Sequence, residues 1–261
     1  MRFGSLFAGI GGIDLGLERA GMECAWQVEI DDYATRALEK HWPDVARFRD
    51  IREVGAANLA PVDLICGGFP CQPHSLAGKR KGSEDERDLW GEMFRVICEV
   101  KPRWVLAENV PGLLSSEAGR YFGRILRDLV GVGFDVEWES IPAAAVGAPH
   151  GRDRVYIVAY ANGYGWNDAN DRECGYERTQ ECNGIPSKWS PHRFFSGLVR
   201  PSDSRLEKTR WRTESRPLGV ADGVPSRVDR LRSLGNAVVP QVAEWIGRRI
   251  VECQNQAGST H

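Results

Sequence analysis

Apolar residues along this chain fall into short runs that alternate with stretches of helical spacing. Residues 3–7 (Phe-Gly-Ser-Leu-Phe) read as a short buried strand, followed by a glycine turn and a helix to about Ala20. Residues 24–29 read as a second strand and 31–42 as a helix with one apolar face. Residues 62–66 form a third apolar run, which enters a Gly-Gly turn. Beyond it the pattern predicts a helix over 89–100, a strand over 104–107, a helix over 121–130, and strands over 134–141 and 155–159. Strands that alternate with helices predict an α/β fold, a mainly parallel sheet covered on both faces.

The pattern changes after Tyr160. Residues 161–217 are rich in Asn, Gly, Arg, Ser and Pro and show no sustained period. Isolated aromatics (Trp166, Trp189, Phe194, Phe195 and Trp211) are enough for the modest core of a small, loop-rich domain. Helical spacing returns at the end: Val238, Val242, Trp245, Ile246 and Ile250 share one face, with Glu244, Arg248 and Arg249 mostly on the other. Residues 254–261 read as a frayed tail. No internal repeat is visible.

Composition places the chain in an ordinary class, with 42% hydrophobic and 27% charged residues. No run approaches the roughly 18 apolar residues that a membrane span needs, and residues 1–5 enter a strand-like segment without a secretory core. A cytoplasmic protein with no membrane partner is expected. Seven scattered cysteines fit reduced thiols better than a disulfide framework. Cys174, Cys182 and His192 lack an accompanying CxxC pair, so no metal is expected. Net charge is −2, but its distribution is uneven. Residues 188–232 carry eleven Lys/Arg against five Asp/Glu, a local +6 that leaves −8 for the remainder. Such a basic stretch suits either a nucleic-acid contact or a solvated surface.

Three constellations carry chemistry. Phe7-Ala8-Gly9-Ile10-Gly11-Gly12 joins the first strand to the first helix, where glycines permit a tight turn and the helix amino terminus offers free N–H groups. Glu29, ending the second strand, lies where ribose hydroxyls could be bound. This pair fits NAD, FAD or S-adenosylmethionine, and a purely structural turn as well. Gly67-Gly68-Phe69-Pro70-Cys71-Gln72-Pro73 follows the third strand at the sheet edge where α/β active sites lie. Cys71 there is poorly explained as core packing, although an inert buried thiol is the commoner role of a free cysteine. Lys79-Arg80-Lys81-Gly82 downstream could attract a polyanion. Glu108-Asn109 again sets a polar pair at a strand end, as an active-site element or a helix cap.

These segments resemble the DNA cytosine-5 methyltransferase family. Phe-Ala-Gly-Ile-Gly-Gly, Gly-Phe-Pro-Cys-Gln-Pro, Glu-Asn-Val and the late Gly235-Asn236-Ala237-Val238-Val239-Pro240 occur in the family's order, across about residues 1–160 and 223–250. The resemblance implies a bacterial or phage restriction-modification enzyme with a Rossmann-like S-adenosylmethionine-dependent sheet. Its catalytic domain would be residues 1–160 completed by 235–253, with 161–234 as a small irregular target-recognition domain and return hinge. Phe7, Gly9, Gly11, Gly12, Glu29, Ile30, Asp50, Ile51, Asn236 and Val238 would bind S-adenosylmethionine. Cys71 would be the nucleophile and Glu108 would grip the cytosine edge, with Arg152 and Arg154 supporting the catalytic loop and a flipped base. Gln72, Ser75, Lys79, Lys81 and Arg87 become DNA-binding candidates. The implied partner is double-stranded DNA, with room for a cognate restriction endonuclease acting on the same site, and the implied state is a monomer. Three positions depart from the family pattern: His74, His150 and the segment ahead of Gly235. They bear on target recognition more than on the reaction.

Carbon 5 of cytosine is a poor nucleophile, so thiolate addition at carbon 6 must first push electron density onto it. Cytosine-5 methylation of RNA would use the same groups. A nicotinamide oxidoreductase leaves Cys71, Glu108 and the two arginines without a joint role, and a non-catalytic DNA-binding module leaves every catalytic residue unexplained.

Overall fold

The structure, a computed structural model, describes residues 1–70, 88–161, 194–195 and 227–258. Seven strands form one sheet: β1 (Arg2–Leu6), β2 (Glu23–Val28), β3 (Ala46–Phe48), β4 (Leu64–Gly67), β5 (Trp104–Asn109), β6 (Phe134–Pro142) and β7 (Asp153–Ala161), in the order β3-β2-β1-β4-β5-β7-β6. The β2/β3, β1/β2, β1/β4 and β4/β5 pairs are parallel, and β7 runs antiparallel to both β5 and β6. The sheet is therefore mainly parallel, as the alternating pattern predicts. The reversal of β7 is what the pattern does not disclose, because residue period is the same in either direction.

The helices are α1 (Gly12–Arg19), α2 (Asp32–His41), α3 (Trp90–Val100), α4 (Arg120–Gly131), α5 (Arg227–Asn236) and α6 (Pro240–Gly258). Strand residues alternate between two cores. Leu64, Cys66, Trp104, Leu106, Tyr156 and Val158 face α1 and α6, packing with Leu17, Val242, Ala243, Ile246 and Ile250. Ile65, Val105, Ala107, Val155, Ile157 and Ala159 face α3 and α4, packing with Trp90, Met93, Ile97, Ile125 and Leu129. Every central strand is thus apolar on both sides, which is why these runs read as continuous.

Four features differ from the sequence expectation. β3 is three residues long, too short for a period to register. α5 spans residue 234, where the sequence places a boundary. α6 continues to Gly258, through positions expected to fray, because Ile246 and Ile250 bury its inner face completely. Phe194 and Phe195 were expected in a separate small core; they pack instead on the sheet–α6 side. Phe194 is 2% exposed, lies 6.4 Å from the Trp104 ring, and its N–H donates to Glu137 Oε2 at 3.3 Å. The Phe195 ring stacks on Trp245 at 6.4 Å. Trp166, Trp189 and Trp211 lie outside the described residues. No described helix is long and apolar enough to cross a membrane.

Candidate active site

The carboxyl ends of β1, β2, β4 and β5 open into a cavity of about 600 Å³, a size typical of small-molecule sites. β1 ends in a turn built from unusual backbone. Phe7 (φ 53°), Gly9 (φ 56°) and Gly11 (φ 82°) all occupy the left-handed region, which a non-glycine residue such as Phe7 adopts only at a cost. α1 starts directly afterwards, so its first N–H groups point to the mouth of the turn. Where Gly9 stands, an added side-chain carbon would meet nothing within 4 Å, so this stretch of wall is open.

Glu29 directly follows β2 with both carboxylate oxygens held: Gly9 N–H donates to Oε2 at 2.7 Å and Asp31 N–H to Oε1 at 2.8 Å. The carboxylate thereby ties the glycine turn to the start of α2. Asp31 caps α2 by accepting Ala34 N–H at 2.9 Å. Ile30, between them, is 64% exposed and lines the cavity. Asp50 and Ile51 line the opposing wall, where the Asp50 carboxylate accepts Arg52 N–H at 3.0 Å.

The other end of the cavity is electrostatically different. Glu108, on β5, is 7% exposed, and burial pushes its carboxyl up to about 7 against the opposing pull of Arg154 and Arg152. Arg154 Nε lies 3.0 Å from Glu108 Oε1, a charge contact off the line that a hydrogen bond needs. The antiparallel β5/β7 register creates this pair, because Glu108 sits opposite Tyr156 and Asn109 opposite Val155. Gly68 leaves room for Glu108, whose Oε2 lies 2.8 Å from where a side-chain carbon would stand. Asn109 Nδ2 donates to the Phe69 carbonyl at 2.9 Å, fixing the β4 exit beside Glu108. Gly68, Phe69 and Pro70 all line the cavity.

Of the residues singled out from sequence, Phe7, Gly9, Gly12, Glu29, Ile30, Asp50, Ile51, Glu108, Arg154, Asn236 and Val238 line this one cavity. Asn236 and Val238 arrive from the far end of the chain, the Val238 backbone closing on Gly12 so tightly that an added carbon there would lie 2.5 Å from its carbonyl oxygen. Gly11 and Arg152 are placed differently. Gly11 turns away onto Trp42, whose ring lies 2.4 Å from where its side-chain carbon would be. Both residues border a neighbouring cavity of about 800 Å³ with His150 and Pro240. Arg152 Nε and Nη2 are buried without a hydrogen-bond partner among the described residues. Cys71, Gln72, Ser75, Lys79, Lys81 and Arg87 lie outside the described residues.

Sequence reasoning passed over Asp14, a fully buried carboxylate on α1 that accepts Ser5 Oγ at 2.9 Å and Gln27 Nε2 at 2.8 Å. Burial pushes it up to about 6. It also passed over Arg49 as a positioning group, whereas Asn109 was singled out with Glu108 as a polar pair. A polar residue in an otherwise apolar helix face was the available signal for Asp14; Arg49 acts through contacts that have no local signature. Burial pushes the Cys24 and Cys66 thiols up, which leaves them unreactive.

A family model of C-5 cytosine-specific DNA methylases matches residues 1–211 of the chain. The type II methyltransferase M.Bsp6I of Bacillus sp. (strain RFL6) is 36% identical over 166 residues, 62% of this chain and 53% of that protein. M.NgoMIV of Neisseria gonorrhoeae is 37% identical over 180 residues, 66% of this chain and 58% of that protein. The chain spans about half the length of the curated relatives it matches. In fold it is similar to a mutant of Spodoptera frugiperda DNMT2, with a TM-score of 0.52 at 23% identity, covering 64% of this chain and 52% of that one.

Proposed function

Because the chain belongs to the C-5 cytosine-specific DNA methylase family, we propose that it methylates carbon 5 of cytosine in a specific sequence of double-stranded DNA, with S-adenosylmethionine as donor. The observation that carries this reading is the shared cavity. A buried carboxyl poised near 7 and a ribose-type carboxylate on a glycine turn face the same 600 Å³ space.

The residues present fit the donor. Glu29 keeps acceptor capacity beside the open wall at Gly9, Ile30 and Ile51 offer apolar flanks to a flat ring, and Asp50 offers a polar edge. Asn236 and Val238 close the far side. When bound, S-adenosylmethionine supplies an electrophilic methyl group.

The chain's own groups supply the activation. Cys71, the residue after cavity-lining Pro70, adds as thiolate to carbon 6, and the ring electrons move toward carbon 5. Burial raises the Glu108 carboxyl to about 7, which keeps a protonated form accessible at neutral pH, so it can donate to ring nitrogen N3 and offset the charge that addition creates there. Arg154 holds the Glu108 carboxyl in place. Carbon 5 takes the methyl group, its hydrogen leaves as a proton, and the thiolate is expelled as the 5,6 double bond re-forms. Glu108 is too buried to reach a stacked base, so the cytosine must leave the helix, at roughly a few kcal/mol.

In this reading residues 1–160, completed by 235–253, are the catalytic unit, and 161–234 select the DNA sequence. The protein works as a monomer in the cytoplasm, needs no metal, and protects sites that a cognate endonuclease would cut, as befits a relative of type II methyltransferases.

The test is covalent trapping. Sequencing of DNA from cells expressing the protein gives the methylated word. A duplex with 5-fluorocytosine at that position, incubated with protein and S-adenosylmethionine, should give an adduct stable to denaturing gels, because fluorine cannot leave as a cation. The adduct should map to Cys71 and be absent from Cys71→Ser. Robust methylation of ordinary DNA without any adduct overturns the addition–elimination route, and methylation of structured RNA but not duplex DNA overturns the substrate.

A further inference from the structure

We propose that Arg49 is a positioning residue for the adenine end of the cavity, acting through the backbone of Ile30; the inference rests on the S-adenosylmethionine reading above. Arg49 follows β3 and lines the cavity next to Asp50. Its guanidinium bridges to the opposite wall: Nη1 donates to Thr35 Oγ, and Nη2 to the Ile30 carbonyl and the Asp32 carboxylate. Thr35 in turn donates to the Asp31 carbonyl at 2.8 Å. One planar cation thus holds Ile30 and Asp32 of the turn directly, and Asp31 through Thr35 in the first turn of α2.

The Glu29 carboxylate already ties Asp31 into this turn, and Arg49 adds the tie at Ile30. Ile30 is 64% exposed, so packing does little to fix it, while its neighbour Ile51 across the cavity is 3% exposed and rigidly seated. Glu29 N–H donates to the Phe48 carbonyl at 3.0 Å, which anchors the strand end but not the residue after it. Arg49 thus links the exposed wall at Ile30 to the chain that leads into the seated Ile51, and so sets the width of the slot that a flat ring enters. Three of its five N–H donors, both on Nη2 among them, are committed to protein acceptors, and through the Ile30 carbonyl it acts on the ligand's wall.

The experiment is calorimetric titration of the full chain with S-adenosylhomocysteine, alongside steady-state methylation. Arg49→Ala should weaken binding roughly tenfold, as expected when one turn residue, Ile30, regains backbone freedom, and should raise KM for S-adenosylmethionine by the same factor. Its kcat at saturating donor and its DNA affinity should stay within about twofold of the unaltered protein, a split that general unfolding does not produce. Arg49→Lys should weaken binding about threefold or more, because an ammonium lacks the planar fork that spans these acceptors. Equal affinity in both variants and the unaltered protein overturns the role of Arg49 and leaves the donor reading standing. A matching fall in kcat overturns it too, since the residue would then act on chemistry. Failure of the unaltered protein to bind S-adenosylhomocysteine overturns the donor reading, and this inference with it. If Arg49→Ala does not fold, the lysine variant decides.

Discussion

Replacing Gly16 with alanine sets two effects of opposite sign against each other. Gly16 is interior to α1, where alanine is favoured over glycine by about 1 kcal/mol from helix propensity alone. Packing argues the other way. The added carbon would stand 2.4 Å from the Pro240 carbonyl oxygen, 2.5 Å from Ala243 Cβ and 2.7 Å from the Glu244 nitrogen. All three atoms belong to the start of α6 and none can rotate aside. Carbon–carbon contacts settle near 3.5–4.0 Å, so α6 must retreat by about 1 Å, and Val242, Ala243 and Ile246, now at 0–1% exposure, loosen with it. Overpacking of this kind costs about 1–3 kcal/mol, and a forced backbone shift puts it at the upper end. The net expectation is a loss of about 2 kcal/mol, a Tm lower by about 4–8 °C for a protein of this size. Gly123→Ala is the control, because it lies within α4 with nothing within 4 Å of the added carbon. It should raise Tm by about 2–4 °C through propensity alone. Circular dichroism melts of both variants decide the matter. A Gly16→Ala protein as stable as the parent, or more so, would refute the close α1–α6 crossing.

Three further outcomes follow from the site. Glu108→Gln should slow single-turnover methyl transfer by about 10²–10⁴. In the parent the rate should fall as pH rises through about 7, where the raised Glu108 carboxyl loses its proton, and that limb should vanish in the variant. Asp14→Asn removes a carboxyl whose folded value, about 6, lies above its ordinary 3.8. Folding therefore favours the protonated form, and the parent loses stability as pH rises between these values. Urea titrations should show the variant gaining about 2 kcal/mol on the parent between pH 4 and pH 7; a constant difference would show that Asp14 is not buried as described. Cys71→Ser should abolish methyl transfer while calorimetry finds S-adenosylhomocysteine affinity within about threefold, or about 0.7 kcal/mol, since the donor-side groups proposed above are at Gly9, Glu29 and Ile30.

Much of this protein is written in short stretches of chain. The apolar runs at β1, β4 and β5 and the glycine turn after β1 declare themselves because neighbouring residues alone decide their period and backbone freedom. The same local patterns mark Glu29 and Glu108 as polar residues ending apolar strands, so the two ends of the cavity were legible before any coordinates. Tertiary structure decided how those ends meet. The reversal of β7 brings Arg154 to Glu108, and residue period carries no sign of strand direction. The return of Val238 onto Gly12 closes the cavity from more than two hundred residues away. Phe194, which composition assigns to a separate core, is buried against Trp104 because a large aromatic goes wherever apolar surface is left uncovered, and only the assembled sheet determines where that is. Asp14 and Arg49 belong to the same class. Their roles are fixed by partners on other elements; the apolar face around Asp14 marks it as unusual, but no segment alone names its partners, because a contact between distant segments is written in neither.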